Sequence, residues 1–182
     1  MSLLSPWKMH DSSIPPSKPL PGFHAVAGYI GGDTPHTWTK AEWDRFKGFP
    51  KLPIYVNDGS GFAKSDGERD AWQALARLFD LGVKPGSTVA YDLELRVAPK
   101  RVAGFKGMLE FFGYHVWVYG SLSTVFKNGG NDFWVAHYET PTAWPSRNTR
   151  ALQYQANVAV PGEPNIDISW IRIWQVRNRL WK

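Results

Sequence analysis

Short apolar runs of strand length alternate along the chain with segments that carry a helical repeat of apolar residues. Each run is bounded by Gly, Pro, Asn or Asp, which is typical of strands that end in turns. The predicted strands lie around residues 7–12, 24–32, 51–56, 87–95, 114–120, 132–138, 151–156 and 165–171. Strands that alternate with helices favour a parallel sheet, and eight such strands are the number that closes a TIM-type barrel.

Two segments have both the apolar period and the end signals of helices. The first, 65–82, begins with a capping-box pattern of Ser65 and Glu68. Its predicted buried stripe comprises Trp72, Leu75, Ala76 and Phe79. The second helix is predicted over 98–113, with a stripe that comprises Val102, Phe105, Leu109 and Phe112.

The chain is short for a barrel of this type. It has 182 residues, whereas about 250 are typical. A third, shorter helix is expected over 39–49, but residues 13–22 are too rich in Pro for a helix and 139–150 resembles a loop. We therefore predict one α/β domain over residues 1–182, a TIM-type (β/α)8 barrel with an incomplete outer layer of helices. An open α/β sheet is the alternative.

Composition and charge narrow the classes of partner. The chain has no Cys, which excludes disulfides and Cys-ligated zinc, and its five His lack the spacing of a metal pair. We predict neither a metal nor a cofactor. The net charge of +5 favours polyanions such as nucleic acid, anionic membranes or bacterial wall polymers. No nucleic-acid motif is present, and we expect neither a signal peptide nor a membrane-spanning segment of about 20 apolar residues.

Two carboxylates share one face of the strand TVAYDLEL, residues 88–95. Asp92 and Glu94 are two residues apart and so point the same way, while Tyr91 and Leu93 are expected to pack outward against helices. In barrels the carboxyl ends of the strands carry the active site. Mutual repulsion and partial burial would raise the pKa of at least one carboxyl, as a general acid requires. Alone, however, this triplet is more often a strand end paired with Lys or Arg.

Further acidic and polar side chains are predicted at neighbouring strand ends. Asp11 ends the first strand and Asp167 lies on the last, so that closure of the barrel would place them side by side, across the mouth from Asp92 and Glu94. Acids of this kind can cleave glycosidic bonds, and aromatic rings with an amide suit a glycan ligand. The predicted ligand contacts are Tyr55, Tyr119, Trp134, Tyr138 and Gln153.

An ordered set of short motifs resembles the family 25 glycoside hydrolases, the muramidases that cut bacterial peptidoglycan. The motifs are DLE, VYGS, FWVAHY, LQYQ and IDIS. AGYIGGDTP and LPIYV look closer to the related actinobacterial glycoside-hydrolase-like domain of the Rv2525c type, a domain of unknown function. The resemblance covers nearly the whole chain, and phage lysins also use such domains. One departure is KMHDSS in place of the family's Gly-hydrophobic-Asp lead on the first strand.

The resemblance implies a site and roles for its residues. An acid on the first strand, a D-x-E triplet on a middle strand and an acid on the last map to Asp11, Asp92, Glu94 and Asp167. Glu94 would be the general acid. Asp92 would orient the acetamido group of the substrate or stabilise the charge that develops, and Asp11 and Asp167 would complete the electrostatics of the site.

Nucleic-acid binding through the basic tail ranks last among the functions, because no nucleic-acid motif supports it, and two other functions remain open. One is a peptidoglycan hydrolase of the lysin kind, made in the cytoplasm and acting at the wall after release or as part of a virion or a larger assembly. The other is a catalytically inactive glycan-binding or virion structural module on the same fold. The basic, Trp-rich tail, 171–182, is expected to cover the bottom of the barrel, with a contact to wall polymer, membrane or a partner as the alternative.

Overall fold

The computed structural model describes residues 7–93, 98–128, 132–138, 143–172, 174 and 178–182. In chain order its elements are β1 (Trp7–Asp11), β2 (Ala25–Gly32), α1 (Lys40–Asp44), β3 (Lys51–Val56), α2 (Lys64–Leu81), β4 (Thr88–Asp92), α3 (Pro99–Phe111), β5 (His115–Ser121), α4 (Leu122–Asn128), β6 (Phe133–Ala136), β7 (Thr149–Val158) and β8 (Ile166–Ile171). Each strand overlaps its predicted range. Helix α4 was not predicted. None of the described helices is long and apolar enough to cross a membrane.

The eight strands form a closed barrel in chain order, as predicted. Strands β1 to β7 pair in parallel, whereas β8 runs antiparallel to both β7 and β1. The connection from β7 to β8, residues 159–165, is short, and a parallel crossover needs a dozen or more residues. The outer layer is incomplete, because the described helices follow β2, β3, β4 and β5 only.

Side chains alternate between the interior of the barrel and an outer layer under the helices. The interior cluster includes Met9, Ala27, Leu52, Ile54, Ala90, Trp117, Trp134, Ala151 and Ile171. The outer cluster includes Val26, Tyr55, Leu78, Val89, Tyr91, Phe105, Val116, Val118 and Leu152. Every residue of β3 and β4 is buried, because both faces of these strands are covered.

Helices α2 and α3 cross closely, through two glycines. A Cβ atom added at Gly67 would lie 1.9 Å from the carbonyl oxygen of Arg101, and one at Gly104 would lie 2.1 Å from that of Lys64. Small side chains therefore face the crossing, and the buried residues of α2 are Gly67, Asp70, Ala71, Ala74, Leu78 and Leu81. The predicted α2 stripe is wrong, because Trp72 and Phe79 are exposed. In α3 the predicted stripe is buried except at Phe112, whose side chain is partly exposed.

The first turns of the helices show which capping predictions hold. Helix α1 has a capping box that was not predicted, in which the Glu42 backbone N–H donates to Thr39 Oγ1 at 3.3 Å and the Thr39 N–H donates to Glu42 Oε2 at 2.6 Å. Helix α2 begins one residue earlier than predicted. The Asp66 carboxylate accepts the Ala63 N–H at 2.8 Å, so the predicted box of Ser65 and Glu68 is not the one that forms.

The Pro-rich connection between β1 and β2 covers a face of the barrel that has no helix. Leu20 packs with Ile166 and Ile168 on the outer face of β8. The Ser17 backbone N–H donates to Glu163 Oε2 at 2.7 Å, which ties this connection to the turn between β7 and β8. The connection thus replaces an outer helix without forming one.

The described part of the tail covers the bottom of the barrel, as expected. Leu180 joins the interior cluster. Trp181 forms an antiparallel bridge with Lys51 at the start of β3 and lies 5.4 Å from Trp43 between ring centroids. The Lys51 ammonium lies 4.4 Å from the Trp181 ring centroid, a cation–π contact that holds the tail in place.

Candidate functional site

Two buried carboxylates point into the barrel at the carboxyl ends of β1 and β4. Asp11 follows the interior residue Met9 by two positions, and Asp92 follows the interior residue Ala90 by two. Because alternate strand residues face the same way, both carboxylates lie on the inner face. Both are buried, so they form part of the floor of the barrel mouth.

Asp167 joins these carboxylates because β8 is reversed. It lies near the start of β8, which in a parallel strand would put it at the bottom of the barrel. The antiparallel direction brings it to the mouth as the direct cross-strand partner of Asp11, and such partners have Cβ atoms about 4.5–5.5 Å apart. Ser169 and Ile171 occupy the same face of β8 in the interior, so Asp167 faces inward as well.

A chain of hydrogen bonds orients the Asp167 carboxylate. Gln153 Nε2 donates to Asp167 Oδ2 at 2.6 Å, and the Asn157 backbone N–H donates to Asp167 Oδ1 at 2.8 Å. The Tyr119 hydroxyl in turn donates to Gln153 Oε1, which fixes the orientation of the amide. Tyr119 is the β5 partner of Asp92, so the chain runs across the mouth from the β4 side to β8.

The geometry of β7 makes this chain of hydrogen bonds available. The pairing of β7 with β8 shifts register between Gln153 and Gln155 and again before Val158, so the ladder is irregular where it passes Asp167. Asn157 there has a φ of 54°, a left-handed conformation that Asn tolerates better than most residues. Its N–H can therefore point at the carboxylate of Asp167 instead of continuing the ladder.

Burial sets the protonation behaviour of Asp167. Burial raises the pKa of its carboxyl above the ordinary value, while the hydrogen bonds from Asn157 and Gln153 act in the opposite direction. A carboxyl with a raised pKa holds a proton nearer to neutral pH than a surface Asp does, which suits acid–base chemistry. Among the residues that the structure describes, no group of three or more His, Asp or Glu side chains could hold a metal ion.

Aromatic side chains support the polar layer from below. The Tyr119 and Trp134 ring centroids are 4.6 Å apart, and Trp134 Nε1 donates to Ser169 Oγ at 3.0 Å. Trp134 is buried. It therefore lies beneath the mouth and holds Tyr119 in position, instead of presenting its face to a ligand as we predicted.

A groove of about 400 Å³ opens above the ends of β4, β5 and β6. Tyr138 stands at its rim with 62% of its surface exposed. A broad exposed ring beside hydroxyl groups matches the alternating apolar and polar faces of a sugar. The groove is lined by Leu93, Tyr119, Gly120, Ser121, Thr124, Ala136, His137 and Tyr138.

Tyr55, a predicted ligand contact, is not brought to the mouth. Tyr55 lies on the outer face of β3, where its hydroxyl donates to Gln73 on α2 and its ring packs against Phe105 at 5.7 Å between centroids. The next residue, Val56, occupies the interior position. The prediction that Tyr55 contacts a ligand at the mouth is therefore wrong: Tyr55 lies on the opposite face of β3, and both faces of this strand are buried. Glu94 lies outside the described residues, and its role as general acid stays a prediction.

A buried ion-pair network that was not predicted supports β4 from outside. Arg101 Nη2 donates to Asp70 Oδ2 at 2.7 Å and to Asp58 Oδ1 at 2.5 Å. The Tyr91 hydroxyl donates to Asp70 Oδ2 at 2.6 Å and accepts from Asn57 Nδ2 at 3.0 Å. The network joins β4 to both helices and to the loop after β3. Charged residues on the buried faces of two helices were the available signal.

Solved structures share this architecture at low sequence identity. No protein-family model and no curated protein matches the sequence. The CTP1L endolysin aligns with a TM-score of 0.74 at 16% identity, over 94% of this chain and 68% of that one. The Tat-secreted protein Rv2525c of Mycobacterium tuberculosis aligns with 0.71 at 14%, over 98% and 100%. GHIP, a glycosyl hydrolase 25 of Streptococcus pneumoniae, aligns with 0.70 at 11%, over 96% and 92%.

This chain has the fold of those three proteins. The shared fold agrees with the resemblance carried by the sequence motifs, including its two branches, the glycoside hydrolases and the Rv2525c type. At these identities the likeness establishes the fold, and a fold can host several functions. Function has to be argued from the side chains at the mouth.

Proposed function

We propose that the protein is a glycan hydrolase that cuts bacterial peptidoglycan, a muramidase-like lysin with Glu94 as its general acid. One observation carries the proposal. The reversed strand β8 seats Asp167 beside Asp11, in the same mouth that receives Asp92 from the strand end just before Glu94. The shared fold with an endolysin and a glycosyl hydrolase 25 supports the reaction class.

The roles follow from the chemistry of glycosidic cleavage. Glu94 protonates the leaving oxygen as the glycosidic bond breaks, and positive charge develops on the sugar ring. The oxygen of a water molecule forms the new bond to the anomeric carbon, and the proton of that water passes to a carboxylate of the site. Asp92 stabilises that charge or orients the acetamido group of the substrate. Asp167, held by Gln153 and Asn157, keeps a fixed carboxyl on the opposite side of the mouth. Preorganised polar groups of this kind stabilise charge without having to reorient.

The groove and the charge of the protein suit the proposed substrate. Tyr138 and the hydroxyls of Ser121 and Thr124 line the groove beside the mouth, where they can stack on and hydrogen-bond to a neighbouring sugar. The net charge of +5 attracts the protein to anionic wall polymers. We propose that it acts at the wall after release from the cell, or as part of a virion or a multidomain assembly.

Clearing of a suspension of purified Gram-positive walls tests the proposal. The wild type should reduce the turbidity and release new reducing sugar ends, and Glu94→Gln should lose about 100-fold or more of this rate. Glu110→Gln is the matched control, since Glu110 is an exposed carboxylate on α3 that pairs with Lys106. No clearing by the wild type, or equal clearing by Glu94→Gln, contradicts the proposal.

A non-catalytic glycan-binding module is the second candidate. The observation that favours it is the burial of Asp11 and Asp92, which leaves little carboxylate surface for a reacting group. This candidate predicts that the wild type and Glu94→Gln sediment equally with insoluble walls, and that neither releases reducing ends. Binding without release of sugar ends would select it over the hydrolase.

A further inference from the structure

The outer side of α2 and α3 carries an apolar surface that the barrel does not use. Four aromatic side chains form it, and we call them the aromatic face: Trp72, Phe79, Phe111 and Phe112. Phe79 is 84% exposed, Phe111 83% and Trp72 54%. Exposure on this scale is unusual for apolar side chains, because their transfer out of water is favourable. The aromatic face therefore needs an explanation outside the core.

The aromatic face is continuous and combines protruding rings with a groove. Ring centroids are 5.5 Å apart between Trp72 and Phe112, and 5.3 Å apart between Phe112 and Phe111. A groove of about 720 Å³ lies against Trp72, Phe79 and Phe112, between the end of α2 and the end of α3. Its apolar lining also includes Leu75, Val83 and Tyr114.

The exposed area approaches what a stable dimer interface needs. A whole aromatic side chain has a surface of about 200 Å². The exposed fractions of the four rings therefore correspond to an exposed area of roughly 500 Å². Contiguous apolar patches on monomers rarely exceed a few hundred Å², and a standard interface removes about 800 Å² from each partner. The groove walls supply further apolar area beside the rings.

The aromatic face is also self-complementary, which favours a second copy of the chain as its occupant. A twofold interface uses the same surface on both subunits, so that surface must contain each feature together with its complement. The protruding rings and the groove that could receive them occur together on this surface. The rim likewise carries one exposed acid, Asp80, and one exposed base, Lys84. The excess positive charge of the chain is therefore not concentrated on this surface.

We propose that the aromatic face is a homodimer interface. Phe79 and Phe111 of one protomer enter the groove of the other, and Asp80 faces Lys84 of the partner subunit. The groove reaches the loop 82–85 before β4, at the end of the barrel opposite the mouth. Pairing through it leaves both mouths open, and two mouths on one particle increase avidity for a polymer with repeated sites.

Sedimentation velocity of the purified full chain from about 1 to 200 μM tests the interface. The wild type should shift with concentration towards twice the 20.6 kDa chain mass, and Phe79→Asp with Phe111→Asp should weaken association at least tenfold. Ile14→Asp is the control, because Ile14 is 60% exposed on the connection after β1. Far-ultraviolet circular dichroism and melting temperatures show whether each variant is folded; the substituted rings are too exposed to be needed for folding.

Charge reversal tests the pairing across the twofold axis. Asp80→Lys alone and Lys84→Asp alone should each weaken association several-fold, because like charges then face each other. The double reversal should restore it to within about threefold of the wild type. A wild type that stays monomeric throughout, or a dimer unaffected by the double Phe substitution, overturns the proposal. Failure of the double reversal to restore association overturns the twofold arrangement.

Discussion

Replacing His10 by Phe should remove much of the loss of stability that the protein suffers in mild acid. The His10 side chain is fully buried on the outer face of β1, with ring centroids 5.0 Å from Phe23 and 6.3 Å from Phe46. Neither ring nitrogen has a hydrogen-bond partner among the described residues. Burial lowers the pKa of His10 from 6.5 to about 4, because the charged imidazolium would lie among apolar rings.

The sign and size of the effect follow from proton linkage. Between pH 6.5 and about 4 the unfolded chain binds a proton at His10 that the folded chain does not, so the free energy of unfolding falls as the pH falls through this window. One pKa unit corresponds to about 1.4 kcal/mol. The loss that His10 causes is therefore about 2 kcal/mol at pH 5 and about 3 kcal/mol at pH 4.

Urea unfolding followed by Trp fluorescence at pH 7.5 and 5.0 measures this difference. His10→Phe should equal or slightly exceed the wild type at pH 7.5, since no hydrogen bond is lost, and should lose about 2 kcal/mol less on going to pH 5.0. The raised pKa of Asp167 stabilises the fold as the pH falls, and it cancels because both proteins contain it. His115→Gln is the control. Burial lowers the pKa of His115 as well, but its side chain is partly exposed, so this substitution should change the loss of stability less than His10→Phe does. Equal losses in the wild type and His10→Phe would refute the reasoning.

Three further substitutions test the packing that supports the site. In thermal melts, Gly104→Ala should destabilise the fold by about 2 kcal/mol or more, because its Cβ would meet a carbonyl oxygen of α2 at 2.1 Å. Gly107→Ala is the control: it has open space around it and should be neutral or stabilising. Asp70→Asn should cost about 3 kcal/mol in urea unfolding, since it leaves the buried Arg101 with half of its carboxylate partners. Thr39→Ala should cost about 1 kcal/mol by removing the cap of α1, and no loss there would contradict the capping assignment.

The strands were predictable because turn residues and apolar runs define them locally. Their order in the barrel then followed from chain order alone. The antiparallel direction of β8 was not predicted, although the connection 159–165 is too short for a parallel crossover. Asp167 was predicted at the mouth because closure of the barrel would place it beside Asp11, and it lies there only because β8 runs antiparallel to β1.

The faces of elements were harder to predict than their positions. Hydrophobicity favoured Trp72 and Phe79 as the buried side of α2, whereas the close crossing with α3 admits only small side chains such as Ala71 and Ala74 there. Tyr55 could not be assigned to a face, since both faces of β3 are buried and alternation gives no signal. Tertiary packing decides both cases.

The support of the site could be predicted only in part. Asp11, Asp92 and Asp167 were identified as mouth residues from strand ends. The chain of hydrogen bonds from Tyr119 through Gln153 to Asp167 joins three strands, so it depends on barrel stagger and on the register shifts of β7. Neither quantity is encoded in a short sequence pattern.

The reversal of β8 also decides where added polypeptide can be attached. Trp7 at the start of β1 pairs with Ile171 at the end of β8, and Trp181 pairs with Lys51 at the start of β3. Both sites therefore lie at the end of the barrel away from the carboxylates. Polypeptide inserted beside Trp7 or Trp181 would therefore leave the barrel at that end, without crowding the groove.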